Sequence, residues 1–171
     1  NVEIIVTGIR GSLQRNMEIK RTASGVVDAI SAEDIGKFPD ANVADALQRL
    51  PGISIQRSGA RGDANGVTVR GFGGDFNDTQ FDGRRLSTAS GSRAVDFTTI
   101  GSDFVSNISV YKTPDVELGA SAIGATINVA LPKPFDSADS KFAVKASGAV
   151  QDRSGKVTPS GAALASTRFA D

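Results

Sequence analysis

Residues 42–57 read NVADALQRLPGISIQR, and the Leu50-Pro51-Gly52 joint inside them constrains the fold more than any other feature of the chain. Val43, Leu47 and Leu50 recur at helical spacing, with Ala44 and Ala46 filling between them. Proline has no N–H to donate and ends the helix, Gly52 supplies the turn, and Ile53 and Ile55 then alternate with Ser54 and Gln56 as a strand does. A short helix therefore runs directly into a short strand. This is the joint of a compact α+β domain built from small pieces.

The rest of the chain has the same grain. Residues 1–11, NVEIIVTGIRG, place Val2, Ile4 and Val6 on one face of an extended segment that ends in glycine. That segment is an edge strand of the domain or a strand held for another chain to pair with. Ser12 is positioned to cap a helix over Leu13–Lys20, and Gly25–Ile30 reads as a strand. Ser31 then caps a helix over Ala32–Lys37. Further strands are expected at 66–71, 79–81, 106–111 and 126–130, with a tight Asp82-Gly83 turn, helical turns within Phe97–Phe104 and Pro114–Leu118, and polar loops at 58–65 and 87–93. The fold expected is α+β: a small mixed four-stranded sheet with short helices and long loops.

Pro132 and Pro134 mark a boundary, and the pattern changes after it. Phe142, Val144, Ala146, Gly148 and Val150 share one face of an alternating run, and Pro159–Phe169 reads as its return strand. About ten alternating residues is the length of one membrane-barrel strand. The same pattern also describes an ordinary antiparallel hairpin half-buried on a soluble domain.

Composition narrows the chemistry. Among 171 residues there is neither His nor Cys, which excludes Ser–His–Asp and Cys–His catalysis, disulfides and the common zinc sites. No enzyme, cofactor or metal is expected. Nineteen Lys+Arg balance nineteen Asp+Glu, so no bulk field favours nucleic acid. No run approaches the roughly 20 apolar residues of a membrane-spanning helix. No basic-then-apolar leader opens the chain, so in an exported protein Asn1 is expected to follow the cleavage point. Gly71-Phe72-Gly73-Gly74 lacks the third glycine of a dinucleotide fingerprint, Gly119–Gly124 misses the G-x-S-x-G spacing, and Asp63-Ala64-Asn65-Gly66 lacks the later ligands of a calcium loop. Ordinary turn chemistry explains all three. Arg70 and Lys112, each ending a strand, read as solvated strand-end charges or as ion pairs to a partner surface.

The order of motifs resembles the N-terminal plug domain of TonB-dependent outer-membrane receptors. Glu3-Ile4-Ile5-Val6-Thr7-Gly8 looks like a TonB box. "DALQRLPGISIQR", "VTVRGF", "FDGRRL", "NISVYKTPDVELGASAIGATINV" and "KPFD" follow in the order of the family. The resemblance covers about residues 1–136, and the tail is similar to the first hairpin of the receptor barrel. Ala125-Thr126-Ile127-Asn128 stands where the family usually has Gly-Thr-Val-Asn, and Phe81 where Leu or Ile is frequent.

The resemblance implies a division into a TonB box and flexible segment at 1–11, a plug at 12–136 and a first barrel hairpin at 137–171. It implies a plug that occludes a barrel, contacts cargo on outward loops and is pulled through its leading strand by periplasmic TonB. Glu3, Ile4, Ile5, Val6, Thr7 and Gly8 would bind TonB. Arg61, Asp63, Asn65, Ser90 and Arg93 would face cargo, and Arg70 and Lys112 would pair with carboxylates of the chain's own C-terminal barrel wall. The cargo implied is a ferric siderophore, vitamin B12, haem or an oligosaccharide, and the location is the outer membrane with the N-terminus in the periplasm. The alternative is a free-standing soluble binding or signalling module that reuses the plug fold.

Overall fold

The structure is a computed structural model that describes residues 7–32, 42–58, 62–89, 91–119, 122–133, 140–150 and 155–167. The expected helix over Ala32–Lys37 lies almost wholly outside these residues, and Ala32 itself is not helical. The chain divides into two compact units, Asn1–Leu131 and Pro132–Asp171.

The first unit holds helix α1 (Thr7–Thr22), strand β1 (Val27–Ser31), helix α2 (Val43–Leu47), strands β2 (Ile53–Ser58), β3 (Asp63–Val69), β4 (Asp78–Phe81), β5 (Arg84–Arg85), β6 (Asn107–Tyr111) and β7 (Thr126–Ala130). Five strands form one sheet in the order β1-β6-β7-β4-β5, while β2 and β3 pair separately as a hairpin. The sheet is mixed: β4 runs parallel to β7 and every other pair is antiparallel. The small mixed sheet expected from the sequence is present, with a two-residue fifth strand at its edge, β5, joined to β4 through the Asp82-Gly83 turn. Both turn residues have positive φ, 48° and 76°, as a two-residue hairpin requires.

One face of the sheet carries the core. Ile30, Ile108, Val110, Ile127 and Val129 project by register to the same side, where they meet Val43, Leu47, Ile53, Val67, Val69 and Phe97. The Leu-Pro-Gly joint is as its residues dictate. Asn42 Oδ1 caps α2 by accepting from Ala44 N–H at 2.8 Å, and Asn42 Nδ2 donates to Ala64 O at 2.9 Å. The chain then turns at Gly52, φ 71°, whose carbonyl accepts from Arg70 N–H at 2.8 Å.

Three expectations change. Thr7–Gly11 are the first residues of α1, not an extended strand, and Ser12 lies within the helix instead of capping it. The loop at 58–65 is shorter than expected, because β3 already begins at Asp63. Pro114–Leu118 forms hydrogen-bonded turns instead of a helix, with Leu118 N–H donating to Asp115 O at 3.3 Å. The helical turns within Phe97–Phe104 are two short 3-10 turns, Phe97–Thr99 and Ser102–Phe104.

The second unit is an antiparallel hairpin of two ten-residue strands, β8 (Lys141–Val150) and β9 (Val157–Ser166). No helix among the described residues is long and apolar enough to cross a membrane.

Candidate functional site

Asp28 is a charged residue in the otherwise neutral strand Val27–Ser31, and by register it shares the apolar face of β1 with Ile30. A buried carboxylate must be paired, and this one has two ammonium partners. Lys20 of α1 bonds one oxygen and Lys112, just past β6, bonds the other. Burial alone pushes the Asp28 carboxyl up. Hydrogen bonds from Lys112 and Lys20, with their charges, outweigh it and hold its pKa below the ordinary carboxylate value.

Lys112 also donates to Pro51 O at 2.5 Å, which ties the sheet to the Leu-Pro-Gly joint. Arg70 Nη2 in turn donates to Lys112 O and to Gly124 O, both at 2.5 Å. To reach them Arg70 adopts φ 51°, a conformation rare outside glycine, in the two-residue turn closed by Val69 and Phe72. The ammonium of Lys112 is thus engaged inside the domain with Asp28, and its side chain is 9% exposed. Arg70 is internally bonded through one nitrogen while the residue remains exposed.

Helix α1 docks on β1 through polar side chains. Arg15 Nη2 donates to Ala32 O at 2.7 Å and Ser31 Oγ to Asn16 Oδ1 at 2.7 Å, beside the Lys20–Asp28 pair. Leu13 and Met17, four residues apart, stay 56% exposed.

A second polar cluster surrounds the loop after β5. Asp78, buried at the start of β4, accepts from Arg85 Nε and Gln80 Nε2, each at 2.7 Å, while Arg93 Nη2 lies 3.8 Å from it. The loop is braced independently. Thr88 Oγ1 donates to Ser92 O, and Ser92 Oγ and Arg93 N–H donate to Asp75 Oδ1 at 2.5 and 3.1 Å. The Ser92 bond, followed by that of Arg93, holds the Asp75 carboxyl below its ordinary range.

Of the residues expected to face cargo, Arg93 lies on this loop, exposed, while Asp63 and Asn65 belong to β3, the first exposed and the second half-buried. Arg61 and Ser90 lie outside the described residues, as do Glu3, Ile4, Ile5 and Val6 of the expected TonB box. Thr7 and Gly8 open α1. The reading of the sequence passed over Asp28, Lys20, Asp78 and Arg85. The signal for Asp28 was present, a lone carboxylate inside a run of buried strand residues. No group of three or more potential metal-ligating side chains occurs among the described residues.

The hairpin has a face of a different kind. The cross-strand pairs Phe142↔Ala165, Val144↔Ala163, Ala146↔Gly161, Gly148↔Pro159 and Val150↔Val157 contain no polar side chain. Phe142, Val144, Val150 and Val157 are 64–76% exposed. The opposite face includes the pair Lys145↔Ala162.

Comparison with known proteins agrees with this architecture. Residues 19–126 match the TonB-dependent Receptor Plug Domain family. The vitamin B12 transporter BtuB of Vibrio vulnificus (strain CMCP6) is 34% identical over 101 residues, 58% of this chain and 16% of that protein. The chain therefore spans about a sixth of that relative's length. The siderophore receptor PirA from Acinetobacter baumannii superposes with a TM-score of 0.59 at 20% identity, over 80% of this chain and 21% of that one. The ferric enterobactin receptor PfeA from Pseudomonas aeruginosa, as a double mutant, gives 0.59 at 23% identity, over 84% and 22%. These structures share the fold. The family is one of outer-membrane transport receptors and not of enzymes. With the match extending from within α1 to the start of β7, across the ion-paired sheet and the Leu-Pro-Gly joint, this chain belongs to the plug domains of TonB-dependent receptors.

Proposed function

We propose that the chain is the gate and first barrel hairpin of an energised outer-membrane importer. Its first unit occludes the barrel and offers loops to cargo, and periplasmic TonB pairs with residues 3–8 to draw the gate open. The observation that supports this most is the hairpin. Two ten-residue strands with five apolar cross-strand pairs along one face, exposed to solvent, match the length and outward face of membrane-barrel strands. A soluble domain that kept such a hairpin unpaired would carry an aggregation hazard.

Within this reading Arg61, Asp63, Asn65, Ser90 and Arg93 contribute to the cargo-facing surface, which suits a siderophore, vitamin B12, haem or oligosaccharide. Arg70 turns its remaining guanidinium donors toward a carboxylate of the barrel wall, where such a pair adds specificity at little net stability. Glu3, Ile4, Ile5, Val6, Thr7 and Gly8 form the strand that TonB captures by β-strand addition. Because Thr7 and Gly8 open α1, full pairing requires the first turn of that helix to unwind.

The test is binding of a purified TonB periplasmic C-terminal domain to this chain. Binding is expected, with loss after deletion of residues 2–8 and slower amide exchange across residues 3–8 in the complex. Equal binding by the deleted chain would remove the TonB-box assignment.

A further inference from the structure

A five-stranded sheet has two outer edges, and this one guards them differently. At one end β5 is only two residues long, and both are exposed arginines, which discourages further pairing. At the other end β1 is five residues long and, among the described strands, pairs with β6 alone. Its outer side is covered by α1. We propose that this covered edge of β1 is a second strand-addition site for TonB, uncovered when α1 is drawn away. The proposal rests on the reading of residues 3–8 as the strand TonB captures, and adds the surface that comes next along the chain.

The ladder fixes which backbone groups face outward. Lys112 N–H donates to Val26 O and Ala32 N–H to Ser106 O, each at 2.8 Å, so the even-numbered residues of β1 face β6. Bonded residues alternate along an antiparallel pair, and Val27, Ala29 and Ser31 therefore direct N–H and C=O to the outer side. The position of α1 follows from its side chains. Lys20 reaches Asp28 on the core-facing side of β1, while Asn16 accepts from Ser31 Oγ on the opposite side. A helix that touches both faces of one strand runs along its edge. It shields the outer backbone groups without extending the ladder.

α1 can leave without dismantling what it guards. Arg15 to Ala32 O, Ser31 to Asn16 and Lys20 to Asp28 fasten it to β1, while Leu13 and Met17 stay exposed. The Lys20 side chain is 52% exposed, so its ion pair is worth little in water. Asp28 then keeps Lys112, and a balanced buried pair stays behind. Loss of β1 instead would strand the Lys112 ammonium without its carboxylate, which is costly. α1 is the releasable piece and β1 the fixed one. The occupant follows from continuity. Thr7 and Gly8 belong both to the TonB segment and to the first turn of α1, so TonB pulls directly on the helix that hides β1. A strand that adds to residues 3–8 through backbone bonds meets the same chemistry along β1.

The test uses the chain lacking residues 2–8, in which the leading strand is gone and the rest of α1 still covers β1. It should not bind the TonB periplasmic C-terminal domain. Arg15→Ala, Asn16→Ala and Lys20→Glu together, added to that chain, should undock α1, read as faster amide exchange across the helix. TonB binding should then rise about tenfold over the deleted chain. With TonB present, exchange at Val27, Ala29 and Ser31 should slow about tenfold, while Asp28 and Ile30, which already face β6, change little. Circular dichroism and urea melts check folding. If the triple variant unfolds, Arg15→Ala with Asn16→Ala, which leaves Asp28 both ammonium partners, decides the matter. A folded, undocked variant that fails to bind TonB, or binds without protecting Val27, Ala29 and Ser31, overturns the proposal. Self-association of that variant through β1 in place of TonB overturns it as well, as does unchanged α1 exchange in both variants. The 2–8 deletion is scored before any substitution is added, so failure of the leading-strand reading is distinguishable from failure of the β1 site.

Discussion

Asp28 sits between two ammonium groups in a strand that is otherwise neutral, and its replacement tests how far one buried charge organises the domain. Asp28→Asn leaves the Lys112 ammonium buried against a neutral group, and loss of one partner from a buried pair costs about 3 kcal/mol. The pH dependence has a definite sign. The folded pKa of Asp28 lies below its ordinary value of 3.8, so its stabilisation is complete well above that pH and is lost as pH falls through the folded pKa. Urea melts should therefore show the wild type and Asp28→Asn differing most at pH 7 and converging below about pH 4. A second residue is constrained by space and not by charge. A Cβ on Gly124 would stand 2.3 Å from Asn77 Oδ1 and 2.9 Å from Phe72 Cβ. Asn77 Nδ2 donates to Val67 O, Phe72 O and Gly73 O at 3.3, 3.1 and 3.1 Å, so it cannot retreat without releasing the loop it gathers. Gly124→Ala should destabilise the domain by about 2 kcal/mol, read as a lowered urea midpoint.

Helix α2 and the joint that follows it concentrate the core, with Val43, Ala44, Ala46 and Leu47 all fully buried. Leu47→Ala should cost about 3 kcal/mol, since a side chain enclosed on all sides leaves a cavity that cannot collapse fully. Gly52→Ala should cost about 1 kcal/mol, because φ 71° is strained for any residue with a Cβ. Thermal unfolding of the two variants checks both values. This element was legible from residues 42–57 because every signal in it is local: a cap, a 3.6-residue spacing, a proline and a glycine. The β8 strand and the Asp82-Gly83 turn were legible for the same reason. Helix α1 was not. Gly8 and Gly11 each weaken a helix by about 1 kcal/mol relative to alanine, and the β-branched run ahead of them reads as a strand. What holds α1 is remote in sequence: Ala32 O, Ser31 and Asp28. The Asp78 cluster was hidden likewise, because Arg85 and Arg93 reach a carboxylate that only the turn and the following loop bring near.

The two units differ in what keeps them folded. The first has its own core, whereas a two-stranded hairpin alone is marginal in water. A chain ending at Leu131 should therefore melt within about 2 °C of the full chain, a shift that corresponds to less than about 1 kcal/mol for a domain of this size. Light scattering should show the full chain associating as concentration rises while the shorter one stays monomeric, because the apolar face and open edges of β8 and β9 are then gone. The order of strands across the large sheet also bears on biosynthesis. β7 is the last of its five strands to leave the ribosome, yet it lies between β6 and β4 and is the only parallel partner β4 has. Until Ala130 has been made, β4 with its short β5 edge and the β1–β6 pair have nothing to join them. The five-stranded sheet can therefore close only after β7 has emerged, which places its completion late in synthesis.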